Sequence, residues 1–367
     1  MTTRMPDLAR VESHFPVLGE LVDAAPYGTG HINDTYCTRF RVNGCITRYI
    51  LQRINHKIFA RPDQVMENIV RVTAHLRSKI RDSGGDLERG TLTVIHTKDG
   101  KPYFHDEDGN WWRMYVFIEG AQTYDVVQNA GQAFEAAMLF GRFQELLGDF
   151  AGPRLHDTIP NFHNTPARFA QLERAIAKDT VNRAASARNE IEFCLARKSI
   201  TPMLTDLCAE GTLTERITHN DTKINNVMLD DVSGSGVCVI DLDTVMPGLS
   251  LYDFGDCVRA TTALAAEDER DLAKVGCSLD LFGALVKGYL STARSLLSPL
   301  EIELLPFAGR LITFEIGIRF LTDYLAGDHY FKTHRRGHNL DRCRTQFRMV
   351  ELMEAQEKEM AALVAKL

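Results

Sequence analysis

The sequence has few of the features that would place it among membrane, secreted or nucleic-acid-binding proteins. No window approaches the roughly 20 apolar residues that cross a bilayer, and residues 1–16 have no signal-peptide core. Its eight cysteines are scattered without a C-x-x-C pair, which argues against a disulfide framework or a zinc site. With 42 Lys and Arg against 49 Asp and Glu, it has no basic excess for nucleic acid or an anionic membrane. These absences predict a cytoplasmic protein with a small-molecule partner.

The first third of the 367 residues is rich in short β-branched and aromatic runs. Residues 47–54, 91–96, 102–104 and 111–118 predict strands, with Asp-Gly turns between the later ones. One helix interrupts them after Pro62, where apolar residues recur at helical spacing until Gly84. The pattern predicts an antiparallel sheet with one inserted helix.

The pattern changes from strand-like to helical near Gly120, a plausible hinge. From residue 132 onward the apolar residues recur at intervals of three and four residues. Two β-like segments, residues 214–217 and 236–241, break this helical part. We therefore expect an α+β protein with a small sheet lobe over residues 1–119 and a larger, mostly helical lobe over residues 120–367.

Two motifs carry the chemistry. Residues 218–226 read THNDTKINN, and residues 237–243 read VCVIDLD at the end of a strand-like run. Phosphoryl transfer needs a carboxylate to accept the proton of the attacking hydroxyl and oxygen ligands for Mg²⁺. A kinase catalytic loop supplies these as His-x-Asp, an Asn five residues later and an Asp after the following strands. Either motif alone is more typical of a polar turn. Together and in this order they favour a kinase.

This combination resembles the aminoglycoside phosphotransferase and choline kinase superfamily, whose members have a protein-kinase-like bilobal fold. Within it, the chain is similar to the N-acetylhexosamine 1-kinases. The similar segments are residues 28–36 (GTGHINDTY), 48–55 (RYILQRIN), 217–229 (ITHNDTKINNVML), 240–247 (IDLDTVMP), 252–259 (YDFGDCVR) and 319–331 (RFLTDYLAGDHYF). The resemblance implies ATP as phosphoryl donor and Mg²⁺ as cofactor.

The resemblance also assigns roles in the catalytic loop. It makes Asp221 the base that faces the acceptor hydroxyl, and Asn226 and Asp241 the metal ligands, with Asp243 supporting the metal directly or through water. Lys223 either stabilises the moving phosphoryl group or is a solvated loop lysine. Further along the chain, Asp256 is expected to anchor the catalytic loop.

The nucleotide side departs from the protein-kinase pattern. Gly28, Gly30 and Asn33 belong to a loop whose backbone amides can cover phosphates. In residues 49–54, the strand expected to carry an ATP-binding lysine, Gln52 stands where protein kinases have that lysine, so the lysine–glutamate pair cannot form. Gln52 can still hydrogen-bond the phosphates. Residues 115–119, which include Phe117 and Glu119, are expected to lie against the adenine.

The acceptor class follows partly from charge. Residues 319–344 carry six Lys and Arg against three Asp, which disfavours a cationic acceptor and suits a neutral sugar, although a solvated basic face has the same composition. By resemblance, His31, Arg319 and Tyr330 contact the sugar together with Asp221. The implied reaction phosphorylates the C1 hydroxyl of N-acetylglucosamine or N-acetylgalactosamine. The alternatives are a kinase for homoserine, choline or another sugar, and an inactive nucleotide-binding protein. The sequence leaves the oligomeric state open.

Overall fold

A computed structural model describes residues 7–28, 30 and 32–367 of the chain. Within that part the helices are α1 (Leu8–Glu12), α2 (Pro62–Asp82), α3 (Ala130–Leu146), α4 (Thr165–Lys178), α5 (Arg188–Ala196), α6 (Met203–Ala209), α7 (Ser250–Thr261), α8 (Leu279–Ala293), α9 (Pro299–Glu303), α10 (Leu305–Ala326), α11 (His338–Ala355) and α12 (Glu357–Ala365). The strands are β1 (Glu20–Pro26), β2 (Asp34–Val42), β3 (Cys45–Ile54), β4 (Val94–Ile95), β5 (Phe104–His105), β6 (Trp111–Val116), β7 (Ala121–Gln122), β8 (Arg216–Thr218), β9 (Val227–Asp230), β10 (Gly236–Val239) and β11 (Met246–Gly248).

The chain divides into two compact units that are not contiguous in sequence. Unit 1 contains the described residues up to 125 together with residues 149–159 and 228–246. Unit 2 contains residues 126–148, 160–227 and 247–367. The segment that carries the second motif, residues 237–243, thus belongs to the unit that holds the N-terminal sheet. The lobe boundary between residues 119 and 120 stays a prediction.

Unit 1 contains an antiparallel sheet of six strands. Its strands lie in the order β1-β2-β3-β6-β4, and β5 also pairs with β6. Alternate side chains of the central strands enter a core that includes Leu51, Trp112 and Met114. Gln52 lies in the middle of the sheet, opposite Thr35 on β2 and Arg113 on β6. The register therefore brings an arginine beside the position where a lysine was expected.

Helix α2 confirms the helix predicted after Pro62. The proline stands in the first turn, where its missing N–H costs no hydrogen bond. The buried face of the helix includes Val65, Ile69, Val72 and Leu76, which recur at the predicted spacing. This face packs within unit 1, as an amphipathic helix requires.

Unit 2 consists mainly of helices. Helix α3 packs closely on α8, since a Cβ added at Gly288 would lie 2.2 Å from the Phe134 carbonyl oxygen. Helix α10 contacts α4, α7 and α11 and is buried over most of its length. The long helices α3, α8, α10 and α11 agree with the helical pattern predicted from residue 132 onward. A short two-stranded sheet of β8 and β11 carries the chain into the first motif.

The structure confirms the α+β class and corrects several elements. The predicted strands at residues 91–96 and 102–104 shorten to two residues each in β4 and β5. Strand β1 and helices α4 and α7 were not predicted. Nearly every residue of helix α7 is buried, including the polar Asp253, Asp256 and Arg259, so the helix lacks the exposed polar face of an ordinary surface helix. In the described part of the chain, no helix is long and apolar enough to cross a membrane.

Candidate functional site

In unit 2, the first motif follows β8 directly and forms a tightly bonded loop. Asn220 has φ +66°, a left-handed conformation that asparagine tolerates better than most residues, and it turns the chain before Asp221. The Asp221 carboxylate is held on both oxygens. Lys223 Nζ lies 2.9 Å from Oδ1, and Asn226 Nδ2 donates to Oδ2 at 3.0 Å and to the Asp221 carbonyl at 2.7 Å. The structure thus brings Asp221, Lys223 and Asn226 together.

The charges of this loop reinforce one another. Burial would raise the pKa of the Asp221 carboxyl, but the Lys223 ammonium outweighs it and holds that pKa below its ordinary value of 3.8. The Asp221 charge in turn raises the pKa of Lys223 above 10.5. Asp221 is therefore ionised at neutral pH, and Lys223 is its counterion.

Helix α7 holds the loop through two carboxylates, three residues apart, that accept hydrogen bonds from backbone amides of the loop. Asp253 accepts hydrogen bonds from the backbone amides of His219, at 2.9 Å, and Asn220, at 2.7 Å. Asp256 accepts from the amide of Thr222 at 2.9 Å, which confirms the anchoring role predicted for it. The anchoring role was predicted for Asp256 alone, although the spacing of Asp253 from it places both on one helix face. Three backbone amides around Asp221 are thereby fixed.

A buried histidine joins the loop to helix α10. His163 Nε2 lies 3.0 Å from the Asn220 carbonyl oxygen, and its Nδ1 lies 2.8 Å from Glu315 Oε1. The other oxygen of Glu315 accepts from Thr165 Oγ1 at 2.6 Å. Both ring nitrogens face acceptors, so the ring satisfies both contacts only as an imidazolium. The sequence offered no local signal for this contact, because the partners lie 57 and 152 residues from His163.

In unit 1, the second motif ends in a turn with two different aspartates. Asp241 is exposed and has φ +57°. Asp243 is buried: Arg113 Nη1 donates to its Oδ1, and Asn33 Nδ2 donates to its Oδ2 at 2.7 Å. Asn33 also accepts from the Asn55 amide at 3.0 Å. Asn33 and Asp243 thus meet each other, and both are engaged with protein partners.

The other residues predicted to bind the nucleotide, apart from the glycine loop, lie elsewhere in unit 1. Gln52 donates to Thr35 Oγ1 and accepts from Arg113 Nε, each at 2.9 Å, so both ends of its amide are engaged within the sheet. The Arg48 guanidinium covers the Phe117 ring at 3.8 Å from its centroid and forms a two-point ion pair with Glu119. Phe117 is therefore a buried platform under Arg48.

The glycine loop is only partly described. Gly28 has φ +77°, and among the described residues, chain neighbours aside, no atom lies within 4 Å of a Cβ added at Gly28 or Gly30. These two glycines therefore have room beside them, as a phosphate-covering loop requires. His31, predicted to contact the sugar, falls outside the described residues, as does Thr29.

Two of the three predicted metal ligands, one in each unit, have donor atoms of the kind that Mg²⁺ prefers. The Asn226 amide nitrogen makes both bonds to Asp221, which leaves its amide oxygen for a cation. Asp241 supplies an exposed carboxylate, and both are the oxygen ligands that Mg²⁺ prefers. Asp243 fits less well, because its two oxygens already accept from Arg113 and Asn33.

The residues predicted to contact the sugar meet in unit 2. Arg319, on α10 one turn beyond Glu315, donates from Nη2 to the Tyr330 hydroxyl at 3.3 Å. Its guanidinium lies 5.1 Å from the ring centroid of Phe162, 5.7 Å from that of Tyr330 and 5.6 Å from that of Phe331. Phe162 precedes His163, so this cluster is continuous with the support of the catalytic loop.

One carboxylate that the sequence did not single out shapes this cluster. Asp323 Oδ1 accepts from the amides of His329, at 2.9 Å, and Tyr330, at 2.8 Å. Its Oδ2 accepts from the Phe331 amide at 2.9 Å. Asp323 thus fixes the backbone that presents Tyr330, which is itself half exposed.

Comparison with known proteins identifies the class. Residues 23–281 match the APH family, described as the phosphotransferase enzyme family, and the chain belongs to it. The fold agrees, since solved structures of this class superpose over almost the whole chain at low sequence identity. The protein is therefore a small-molecule phosphotransferase with a protein-kinase-like fold.

Three of these structures show the range of the fold. An aminoglycoside phosphotransferase from Alicyclobacillus acidocaldarius has a TM-score of 0.59 and 13% identity, covering 100% of this chain and 98% of its own. Spectinomycin phosphotransferase APH(9)-Ia, solved with ADP and spectinomycin, has a TM-score of 0.55 and 13% identity, covering 95% and 97%. A choline kinase from Cryptosporidium parvum has a TM-score of 0.52 and 11% identity, covering 97% and 92%.

Proposed function

We propose that the protein is an N-acetylhexosamine 1-kinase, which transfers the γ-phosphoryl group of ATP to the C1 hydroxyl of N-acetylglucosamine or N-acetylgalactosamine. The observation that carries the transfer step is the Asp221 carboxylate, ionised and held between Lys223 and Asn226. In this proposal Asp221 accepts the proton of the acceptor hydroxyl. The anomeric hydroxyl is more acidic than an ordinary alcohol, so a single carboxylate suffices as base.

The nucleotide part of the proposal uses ATP with Mg²⁺. Asn226 and Asp241 would each supply an oxygen ligand, and Mg²⁺ when bound would neutralise charge on the phosphates. The amides near Gly28 and Gly30 would cover those phosphates. Phe117 and Glu119, together with Arg48, would form the surface nearest the adenine.

The acceptor part of the proposal depends on the charge around Arg319. Three aromatic rings already surround its guanidinium, so they form no empty cage for a quaternary ammonium group. Burial and then the charge of Arg319 lower the pKa of Arg168, which shows that two cations share this region. Such a region disfavours choline and aminoglycosides. A neutral sugar can accept hydrogen bonds from Arg319 and Tyr330.

A coupled assay of ADP release tests the proposal over a panel of sugars, homoserine and choline, with and without Mg²⁺. We expect Mg²⁺-dependent turnover with N-acetylhexosamines, and phosphorus NMR of the product should place the phosphate on C1 and not on C6. Turnover with another acceptor alone would indicate a different small-alcohol kinase. ADP binding without turnover on any acceptor would indicate an inactive nucleotide-binding protein.

The catalytic base is tested by Asp221→Asn. This change should lower kcat by at least about 100-fold, since the amide cannot accept the proton, while ADP still binds. Asp280→Asn provides the matched control, because Asp280 is an exposed carboxylate in the first turn of α8. Equal kcat values for the two variants would contradict the role of Asp221.

A further inference from the structure

The sheet of unit 1 carries a buried cation at a position that the catalytic motifs do not include. Arg113 on β6 is 1% exposed and lies opposite Gln52 in the strand register. Its Nε donates to Gln52 Oε1 at 2.9 Å, and its Nη1 donates to the Asp243 carboxylate. The guanidinium also lies 5.3 Å from the Tyr115 ring centroid. Gln52 thus orients the arginine and supplies no charge of its own.

Asp243 depends on this arginine. A carboxylate buried to this degree is costly unless it is paired and hydrogen-bonded. Arg113 supplies the opposite charge, and Asn33 supplies a second hydrogen bond at 2.7 Å. The guanidinium can hold Asp243 and Gln52 at once because its donors form a rigid fork. A lysine at position 113 would offer only a point charge.

The turn that begins at Asp241 is fixed on its other side by α2. Asn68 is fully buried and donates from Nδ2 to the Val245 carbonyl at 3.0 Å and to the His156 carbonyl at 2.8 Å. Residues 242–245 are thus held at Asp243 by its side chain and at Val245 by its backbone. Asp241 stands at the exposed start of this turn in a left-handed conformation, which persists only where the surroundings enforce it.

We infer that Arg113 is a positioning residue for magnesium binding: through the buried pair with Asp243 it fixes the turn that presents Asp241 to the metal. The inference rests on the proposed function, in which that metal is the Mg²⁺ of the bound nucleotide. Arg113 acts on the metal segment from β6, and it does so without contacting the phosphates. The sheet thereby keeps a buried cation although position 52 is glutamine.

The test is ADP binding measured by calorimetry, with Mg²⁺ and in EDTA, and with no sugar present. The double variant Arg113→Met/Asp243→Asn removes both charges and leaves neither partner buried alone. We expect its affinity for ADP in EDTA to equal that of the wild type. Its affinity with Mg²⁺ should fall by about 10- to 100-fold, as for other groups that orient a metal ligand.

The control is Arg39→Met/Asp23→Asn, which removes an ion pair between β1 and β2 of the same sheet. It should leave ADP affinity unchanged in both conditions. If the Arg113→Met/Asp243→Asn variant loses the same ADP affinity with Mg²⁺ and in EDTA, Arg113 binds the phosphates directly. If its ADP affinity with Mg²⁺ is unchanged, Arg113 has no role in magnesium binding. Either result overturns the inference.

A conservative variant keeps the test decisive if the double variant does not fold. Arg113→Lys retains the charge but cannot bond Gln52 and Asp243 together. This variant should show a cooperative thermal unfolding transition, as a folded protein does, and should lose affinity for ADP only in the presence of Mg²⁺. ADP affinities equal to those of the wild type in both conditions would overturn the inference. Wild-type protein whose ADP binding does not depend on Mg²⁺ would contradict the proposed function instead.

Discussion

Replacing Glu315 by glutamine should weaken the link between helix α10 and the catalytic loop. In the wild type, His163 contacts Glu315 at 2.8 Å through one nitrogen and the Asn220 carbonyl at 3.0 Å through the other. Both groups accept, so the ring carries two protons and needs the Glu315 charge as counterion. Glutamine has nearly the same shape but no charge. In the variant His163 becomes neutral and can donate to only one partner.

The expected cost follows from burial, since the His163 and Glu315 side chains are 2% and 0% exposed. Breaking a buried pair by removing one partner costs about 3–5 kcal/mol. Glutamine can still accept one hydrogen bond, so we expect about 3 kcal/mol. The matched control is Glu354→Gln, which breaks a two-point pair with Arg197 in the same unit. That pair is 22% and 31% exposed, so its loss should cost no more than about 1 kcal/mol.

The pH dependence has a definite sign. The pKa of His163 is raised above 6.5, because Glu315 and the Asn220 carbonyl together outweigh the opposing effect of burial. Its contribution is complete below pH 6.5 and is lost as the pH rises through the raised pKa. Burial would raise the pKa of Glu315, but His163 holds it below 4.5, so its contribution is lost as the pH falls through that lowered pKa. The difference in the free energy of unfolding between wild type and Glu315→Gln should therefore be largest between pH 4.5 and pH 6.5.

Urea unfolding followed by far-ultraviolet circular dichroism measures this difference. At about pH 5.5 the free energy of unfolding should fall more in Glu315→Gln than in Glu354→Gln, and this gap should narrow at a pH above the raised pKa of His163, where the wild-type ring loses its proton. The reasoning would be refuted if the two variants unfolded at the same urea concentration. A gap of equal size at both pH values would also refute it.

Three further predictions concern the metal, the acceptor and the packing. Asn226→Ala should raise the Mg²⁺ concentration needed for half-maximal turnover, and an unchanged Mg²⁺ titration would remove it from the ligand set. Arg319→Gln should raise KM for the sugar about tenfold with KM for ATP unchanged; an effect on ATP alone would contradict its role. Gly288→Ala should cost about 1–3 kcal/mol in urea unfolding, because its Cβ would meet the Phe134 carbonyl at 2.2 Å. On the same helix, Gly283→Ala meets only side-chain atoms at 3.8 Å and should stabilise by about 0.5–1 kcal/mol; the reverse order would refute this.

The sequence by itself determined features that depend on residues close together in the chain. The catalytic loop was predicted from the two motifs together, and within the first motif the hydrogen bonds that join Asn226 to Asp221 span only five positions. Helix α2 was predicted because its apolar residues recur at helical spacing, and strand β3 because its segment is rich in β-branched and aromatic residues. The order of the two motifs favoured a kinase, and their resemblance to the superfamily suggested which one.

The tertiary structure decided which groups support those motifs. Asp253 and His163 hold the catalytic loop from elements 33 and 57 residues away along the chain, and no spacing rule connects them to it. Asp243 was expected beside the metal, but it is paired with Arg113, which lies 130 residues earlier. Long-range pairs of this kind depend on strand register and on the cost of burying a charge. Both are properties of the packed chain, since in the unfolded chain each of these side chains is solvated by water.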